Sequence, residues 1–159
     1  MSFAYNANGQ VTSASDADAT YGYTYDNLGR ATQVTNSVGT SQTINQKWDG
    51  IGNRTELTAA QGWSEFKNAY TYDTLGRMTR IDQTLGMAGW FTSEKRVDFA
   101  YNAAGQFTSI KRYKDTDGGS GNLVAETSYT YDQIGRLTDL THFKDSTTFA
   151  DYAAAMGHP

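Results

Sequence analysis

One short motif recurs six times along the 159 residues, and it limits the fold more than any single residue does. Each copy is an aromatic residue, then Asp or Asn, two variable residues and Gly. The copies are Tyr5-Asn6-Ala7-Asn8-Gly9, Tyr25-Asp26-Asn27-Leu28-Gly29, Trp48-Asp49-Gly50-Ile51-Gly52, Tyr72-Asp73-Thr74-Leu75-Gly76, Tyr101-Asn102-Ala103-Ala104-Gly105 and Tyr131-Asp132-Gln133-Ile134-Gly135. Their leading aromatics lie 20, 23, 24, 29 and 30 residues apart. Recurrence at this spacing marks a repeat array, whose units bury their apolar faces against one another. Function then belongs to the array as a surface or wall, not to a single catalytic cleft.

The second copy shows what one unit does. Tyr21, Tyr23 and Tyr25 alternate with small residues, the period of a strand. Asp26 opens a type I turn in which its carboxylate accepts a backbone N–H. Gly29 supplies the positive φ of a three-residue hairpin loop, and a second strand starts at Arg30. Six such hairpins predict about twelve strands, mostly antiparallel. Where Asp opens the turn, Arg follows the Gly: Asp26/Arg30, Asp73/Arg77, Asp132/Arg136. Where Asn opens it, Gln follows: Asn6/Gln10, Asn102/Gln106. Charge matched to charge and amide to amide predicts contact across the turn, worth about 0.2–1 kcal/mol per pair. In the third copy Asn53 reads as an insertion that delays Arg54 by one residue.

Beyond each turn, apolar residues are spaced by three: Val11/Ala14, Ala31/Val34, Met78/Ile81, Phe107/Ile110, Leu137/Leu140. A regular strand would put each pair on opposite faces, so a bulge beside the turn is expected. The turn tips carry Leu28, Ile51, Leu75 and Ile134, which predict a row that packs on a neighbouring element. The array of six hairpins is expected to fill residues 1–146. Residues 147–159 read as a tail, either a short helix or frayed.

Val, Ile, Leu and Phe make up only 24 of the residues, which would suit a disordered chain. A net charge of −4 and 13% aromatic content oppose that reading, and the expected core is built largely from tyrosine. The absence of Cys excludes a disulfide framework and thiolate metal sites. No apolar run is long enough to span a membrane, and no signal peptide is expected within this chain, so that an export signal would lie upstream in a longer parent. With no Lys/Arg stripe, nucleic acid is not an expected partner.

Catalytic chemistry has little to work with. His142 and His158 are the only histidines, and neither has a motif around it. The motif carboxylates belong to turns. Asp115-Thr116-Asp117-Gly118 resembles the opening of a Ca²⁺ loop but lacks the distal Glu, so Asp115 and Asp117 are weak metal candidates. Trp48, Trp63 and Trp90 could stack on sugar rings, although aromatics on one sheet face more often pack together. The expectation is a protein that is not an enzyme and holds no cofactor.

The pattern Tyr-x-Tyr-Asp-x-x-Gly-Arg-x-Thr, standing at Tyr23 to Thr32, Tyr70 to Thr79 and Tyr129 to Thr138, resembles the YD repeat of the RHS family. Looser copies start at Phe3, Gln46 and Phe99. The resemblance implies an all-β chain of tandem β-hairpins in a curved antiparallel sheet, a segment of a spiral shell. Such shells enclose a toxic C-terminal domain in bacterial toxin complexes and polymorphic toxins, and teneurins use a similar shell at the cell surface. It implies an extracellular or cell-surface location, and as partners flanking repeats or a cargo domain. A carbohydrate- or protein-binding module is the alternative. The signature residues would be structural: Tyr5, Asn6, Gly9, Tyr25, Asp26, Gly29, Arg30, Trp48, Asp49, Gly52, Tyr72, Asp73, Gly76, Arg77, Tyr101, Asn102, Gly105, Tyr131, Asp132, Gly135 and Arg136. Six repeats are too few to close a large shell, so the chain reads as a piece of wall or a short relative. An open sheet has two edges with unpaired backbone groups, and Pro159 is the only proline. The chain is therefore expected to associate edge to edge or to cap itself with its tail.

Overall fold

The computed structural model describes residues 1–61, 63–85, 93–119, 122–144 and 147–151, and the side chains of 1–61, 66–84, 93–119 and 122–144. They form β-strands, with no α-helix among the described residues. The strands are β1 (Ser2–Tyr5), β2 (Val11–Ser15), β3 (Thr20–Tyr25), β4 (Ala31–Asn36), β5 (Gln42–Trp48), β6 (Arg54–Gln61) and β7 (Trp63–Tyr72). They continue as β8 (Met78–Leu85), β9 (Lys95–Tyr101), β10 (Phe107–Tyr113), β11 (Leu123–Tyr131), β12 (Leu137–Lys144) and β13 (Thr147–Asp151). The chain divides into two compact units, Met1–Tyr70 with Thr84–Thr92, and Thr71–Gln83 with Ser93–Pro159. In the first unit β1 to β7 pair antiparallel in sequence order. In the second, β8 to β13 do the same.

Strand β13 corrects the expected tail. Thr147–Asp151 is neither helical nor frayed. It pairs with β12 from Thr147↔Lys144 to Thr141↔Asp151. The outer edge of β12 would otherwise leave its N–H and C=O groups unpaired, and an added strand satisfies them. Residues 152–159 lie outside the described residues, as do His158 and Trp90.

A bulge beside the turn explains the spacing of three. In the first hairpin Tyr5 faces Val11 and Ala4 faces Ser13, so Thr12 is the extra residue. Val11 and Ala14 therefore face Tyr5 and Phe3 and share a side. The same shift puts Ala31 and Val34 beside Tyr25 and Tyr23, Phe107 and Ile110 beside Tyr101 and Phe99, and Leu137 and Leu140 beside Tyr131 and Tyr129. One face of each ladder is aromatic and aliphatic. Phe107 packs against Tyr101, Phe99 and Tyr129 at ring-centroid distances of 4.8, 5.9 and 6.4 Å. The opposite face is polar. Thr24 and Thr32 share a hydrogen bond of 3.0 Å, and Glu56 sits between Lys47 and Lys67 at 2.8 and 2.7 Å.

A tyrosine core in the usual sense does not form among the described residues. Ala14 is the buried apolar residue and Thr127 is the most buried side chain, while Phe3 is 50% and Tyr5 60% exposed. A ladder packs each side chain against its neighbours along and across strands, and it half-buries them.

Successive hairpins join in one fixed register. The residue four after a motif Gly faces the residue three before the next leading aromatic. The pairs are Ser13↔Gly22, Gln33↔Asn45, Glu56↔Ala69, Arg80↔Asp98 and Ser109↔Ser128.

Candidate functional site

The motif residues meet at the turns. Each motif Gly has positive φ, for example 78° at Gly29 and 76° at Gly76, a region that L side chains enter only with strain. In the second turn the Gly29 N–H donates to the Asp26 carbonyl at 2.9 Å, and the Asp26 N–H donates to the Arg30 carbonyl at 2.9 Å. The Asp26 Oδ1 accepts the N–H groups of Leu28 and Arg30, both at 2.9 Å, and its Oδ2 takes the Arg30 Nε at 2.7 Å. Asp73 with Arg77 and Asp132 with Arg136 repeat the contact at 2.7 Å. Asn6 and Asn102 build the same turn without charge, each Nδ2 donating to the Oε1 of Gln10 or Gln106 at 2.9 Å.

The third turn corrects the reading of Asn53. It is not an insertion. It holds the place after Gly52 that Arg or Gln holds elsewhere, and its Nδ2 donates to the Asp49 Oδ2 at 2.9 Å. Arg54 is one step further on. There it faces Trp48 across the ladder, donates to the Gln46 Oε1 at 3.2 Å and lies 5.0 Å from the Tyr70 ring centroid.

The residue after the Gly also reaches outward to the next turn. Gln10 Nε2 donates to the Gly29 carbonyl at 2.9 Å, and Gln106 Nε2 to the Gly135 carbonyl at 2.7 Å. Arg30 Nη1 donates to the Asp49 carbonyl at 2.6 Å, with its guanidinium 5.7 Å from the Trp48 ring centroid. Arg77 Nη1 donates to the Asn102 carbonyl at 3.1 Å and lies 4.7 Å from the Tyr101 ring centroid. The leading aromatic answers in the other direction. Tyr25 donates its hydroxyl to the Val11 carbonyl at 2.7 Å, Trp48 its indole N–H to Ala31 at 2.9 Å, and Tyr101 its hydroxyl to Met78 at 2.7 Å. The first, second and fourth junctions are thus closed by a donor from each side.

Sequence reasoning missed these junctions. A signal was available: every leading aromatic is Tyr or Trp, never Phe, and every residue after the Gly is an amide or an Arg. Both positions keep an N–H or O–H on a long side chain.

The electrostatics follow the contacts. Asp26 and Asp73 are held below the usual carboxylate range, first by the backbone N–H of Arg30 and Arg77 and, against some desolvation, by the same arginines' side chains. For Asp132 the Arg136 side chain leads. At Asp49 desolvation pulls upward, and hydrogen bonds led by the Asn53 side chain bring the net shift down. Desolvation raises the Tyr101 phenol.

The other candidates do not converge with the turns. Asp117 is spent on the Gly119 N–H at 2.8 Å and the Asn122 Nδ2 at 2.7 Å. No group of three metal-ligating side chains, around Asp115 or elsewhere, occurs among the described residues. His142 Nδ1 is 3.0 Å from the Thr127 Oγ1. Leu28, Ile51, Leu75 and Ile134 stand 69%, 80%, 74% and 76% exposed at the turn tips. The side chain of Trp63 lies outside those described. An open groove of about 690 Å³ between the fifth and sixth turns is lined by Gln106, Tyr129 and Asp132, whose carboxylate is already bonded to Arg136.

The sequence model of the RHS repeat matches residues 5–41, which hold the first two turns and the Gln10–Gly29 junction. Over that stretch the chain is similar to the RHS repeat. No curated protein matches the chain. Among solved structures the chain is similar to one in the crystal structure of TcdB2-TccC3-Cdc42, with 16% sequence identity and a TM-score of 0.54. The match covers 94% of this chain and 9% of that one, so this chain spans about a tenth of the one it matches. At this identity the likeness is one of fold.

Proposed function

We propose that the chain is a structural segment of a longer, exported RHS-repeat protein, a stretch of β-wall that encloses or presents a cargo domain at the cell surface or outside the cell. Its partners in that setting are flanking repeats and the cargo. One observation carries the reading: seven side chains of the motif are used to join repeat to repeat. Gln10, Arg30, Arg77 and Gln106 each donate to the following turn, and Tyr25, Trp48 and Tyr101 each donate to the preceding hairpin. Side chains tied up in this way hold register and carry out no reaction. The fold likeness to a much longer chain supports the same reading. Sequencing the coding DNA on both sides tests it. The expected result is an open frame that runs through further Tyr-Asp-x-x-Gly motifs into an unrelated domain. A frame closed at both ends would overturn enclosure of a cargo.

A further inference from the structure

The far ends of β9 and β10, away from the turns, gather positive charge that the junctions do not use. Among the described residues, eight of the 13 Lys and Arg side chains stand 2.6–3.6 Å from a carboxylate. Lys95, Arg112 and Lys114 form no such pair among those residues, and they come together. Arg112 faces Val97 and Tyr113 faces Arg96, so one step further Lys114 stands across from Lys95. Side chains two apart along a strand share a side, which puts Arg112 with the two lysines. Like charges directly opposite on neighbouring strands repel and weaken the ladder. The other side of the same ladder balances its charges, Arg96 with Asp98 at 2.7 Å and Lys111 with Glu126 at 3.6 Å. A local rule kept on one side and broken on the other points to a function.

The three cations line a cavity of about 410 Å³ together with Glu94. Three positive charges against one negative leave the lining two positive charges in excess. All three cations are exposed, so a ligand can reach them. Arg112 is also fixed from behind. Its Nη1 donates to the Thr127 Oγ1 at 3.3 Å, and Thr127 is 2% exposed. Arginine only donates, so the hydroxyl accepts there and turns its own proton towards the His142 Nδ1, 3.0 Å away. We propose that this cavity binds a doubly charged oxoanion, phosphate or a dicarboxylate. The facing lysines supply two point charges and Arg112 a planar fork of donors, which suits adjacent anionic oxygens. Bound there, the anion cancels the repulsion between Lys95 and Lys114 and ties the start of β9 to the end of β10. The site goes beyond the wall reading and does not depend on it: its residues all lie in the second unit, and none belongs to a turn motif.

Thermal unfolding of the full chain, at an ionic strength held constant with chloride, tests the site. Inorganic phosphate is expected to raise the melting temperature saturably, because a ligand of the folded chain stabilises it by mass action. Succinate is the second probe, and whichever acts at the lower concentration decides between phosphate and paired carboxylates. Lys114→Gln removes one of the facing charges. It should raise the melting temperature in chloride alone and weaken the response to the preferred anion about tenfold, the scale of one charge-assisted hydrogen bond. Lys144→Gln, which removes an exposed cation on β12, should respond like the unmodified chain. Amide NMR of the unmodified chain gives a reading that needs no variant: residues 93–95 and 112–114 should shift on titration while the turn residues stay in place. No saturable effect of either anion, an equal response in Lys114→Gln, or shifts spread over lysines throughout the chain would overturn the inference.

Discussion

The hairpins that open with Asn6 and with Asp26 adopt the same turn with different chemistry. Both close it with paired backbone hydrogen bonds of 2.9–3.0 Å, and both give the first side-chain oxygen to two backbone N–H groups. The amide version ends at Gln10, which reaches the next turn at its Gly29 carbonyl. The charged version ends at Arg30, which reaches the next turn at its Asp49 carbonyl and also covers the Trp48 ring. Turn geometry is therefore indifferent to charge, while the hold on the next repeat is not. A guanidinium forms its ion pair, an outward hydrogen bond and a ring contact at once because its donors fan out in a plane.

The comparison breaks most severely at the carboxylate. Asp73→Ala strips the acceptor from the N–H groups of Leu75 and Arg77 and leaves Arg77 without its counter-charge. Thermal unfolding should show a larger fall in melting temperature for this variant than for Asn102→Ala. Acid comes next. The carboxyls of Asp26, Asp49, Asp73 and Asp132 sit below their ordinary value of 3.8 in the folded chain. A depressed folded pKa means that the unfolded chain binds protons first on acidification. The stabilisation is thus complete above the ordinary value and is lost as pH falls through it towards the folded values. Melting temperatures between pH 7 and pH 2 should drop in that window. The double exchange Asp73→Asn/Arg77→Gln should flatten the drop and cost little at pH 7.

Smaller effects sharpen the picture. Tyr101→Phe keeps the ring under Arg77 and removes the hydroxyl donor to the Met78 carbonyl, a loss of about 1 kcal/mol in denaturant titration. Leu28→Ser or Ile134→Ser at the exposed tips should change stability by no more than about 0.5 kcal/mol. A larger change would reveal a partner for the tips.

Local chemistry was legible in the sequence. Alternation of Tyr21, Tyr23 and Tyr25, the Asp26–Gly29 turn and the pairing of Asp26 with Arg30 all involve residues close along the chain. The spacing of Val11 and Ala14 pointed to a bulge, since a regular strand would put the two on opposite faces, and the register of β1 with β2 shows it. What stayed hidden depends on elements brought together by register. Arg30 and the Asp49 carbonyl are 19 residues apart, and nothing in either repeat alone says that they meet. Asn53 was misread because the Arg at 54 suggested a shifted motif, when the position after Gly52 needs only a donor. The tail was misread because residues 147–151 lack a turn motif; their strand is imposed by the edge of β12.

The constant offset between hairpins has a consequence for how such a chain can change. Pairing is counted from the turns, so the length of the connectors at the far ends of the strands does not enter the count. Motif separations run from 20 to 30 residues while the offset stays the same. The loop after β10 shows the freedom this gives: Arg80 and Arg96 donate to the carbonyls of Thr116 and Asp117 at 3.1 and 3.4 Å, anchoring extra residues without moving the ladder. In each unit the turn margin works as a ruler with fixed graduations. The other margin is a blank edge on which insertions, tags or whole recognition loops could be written without altering the scale.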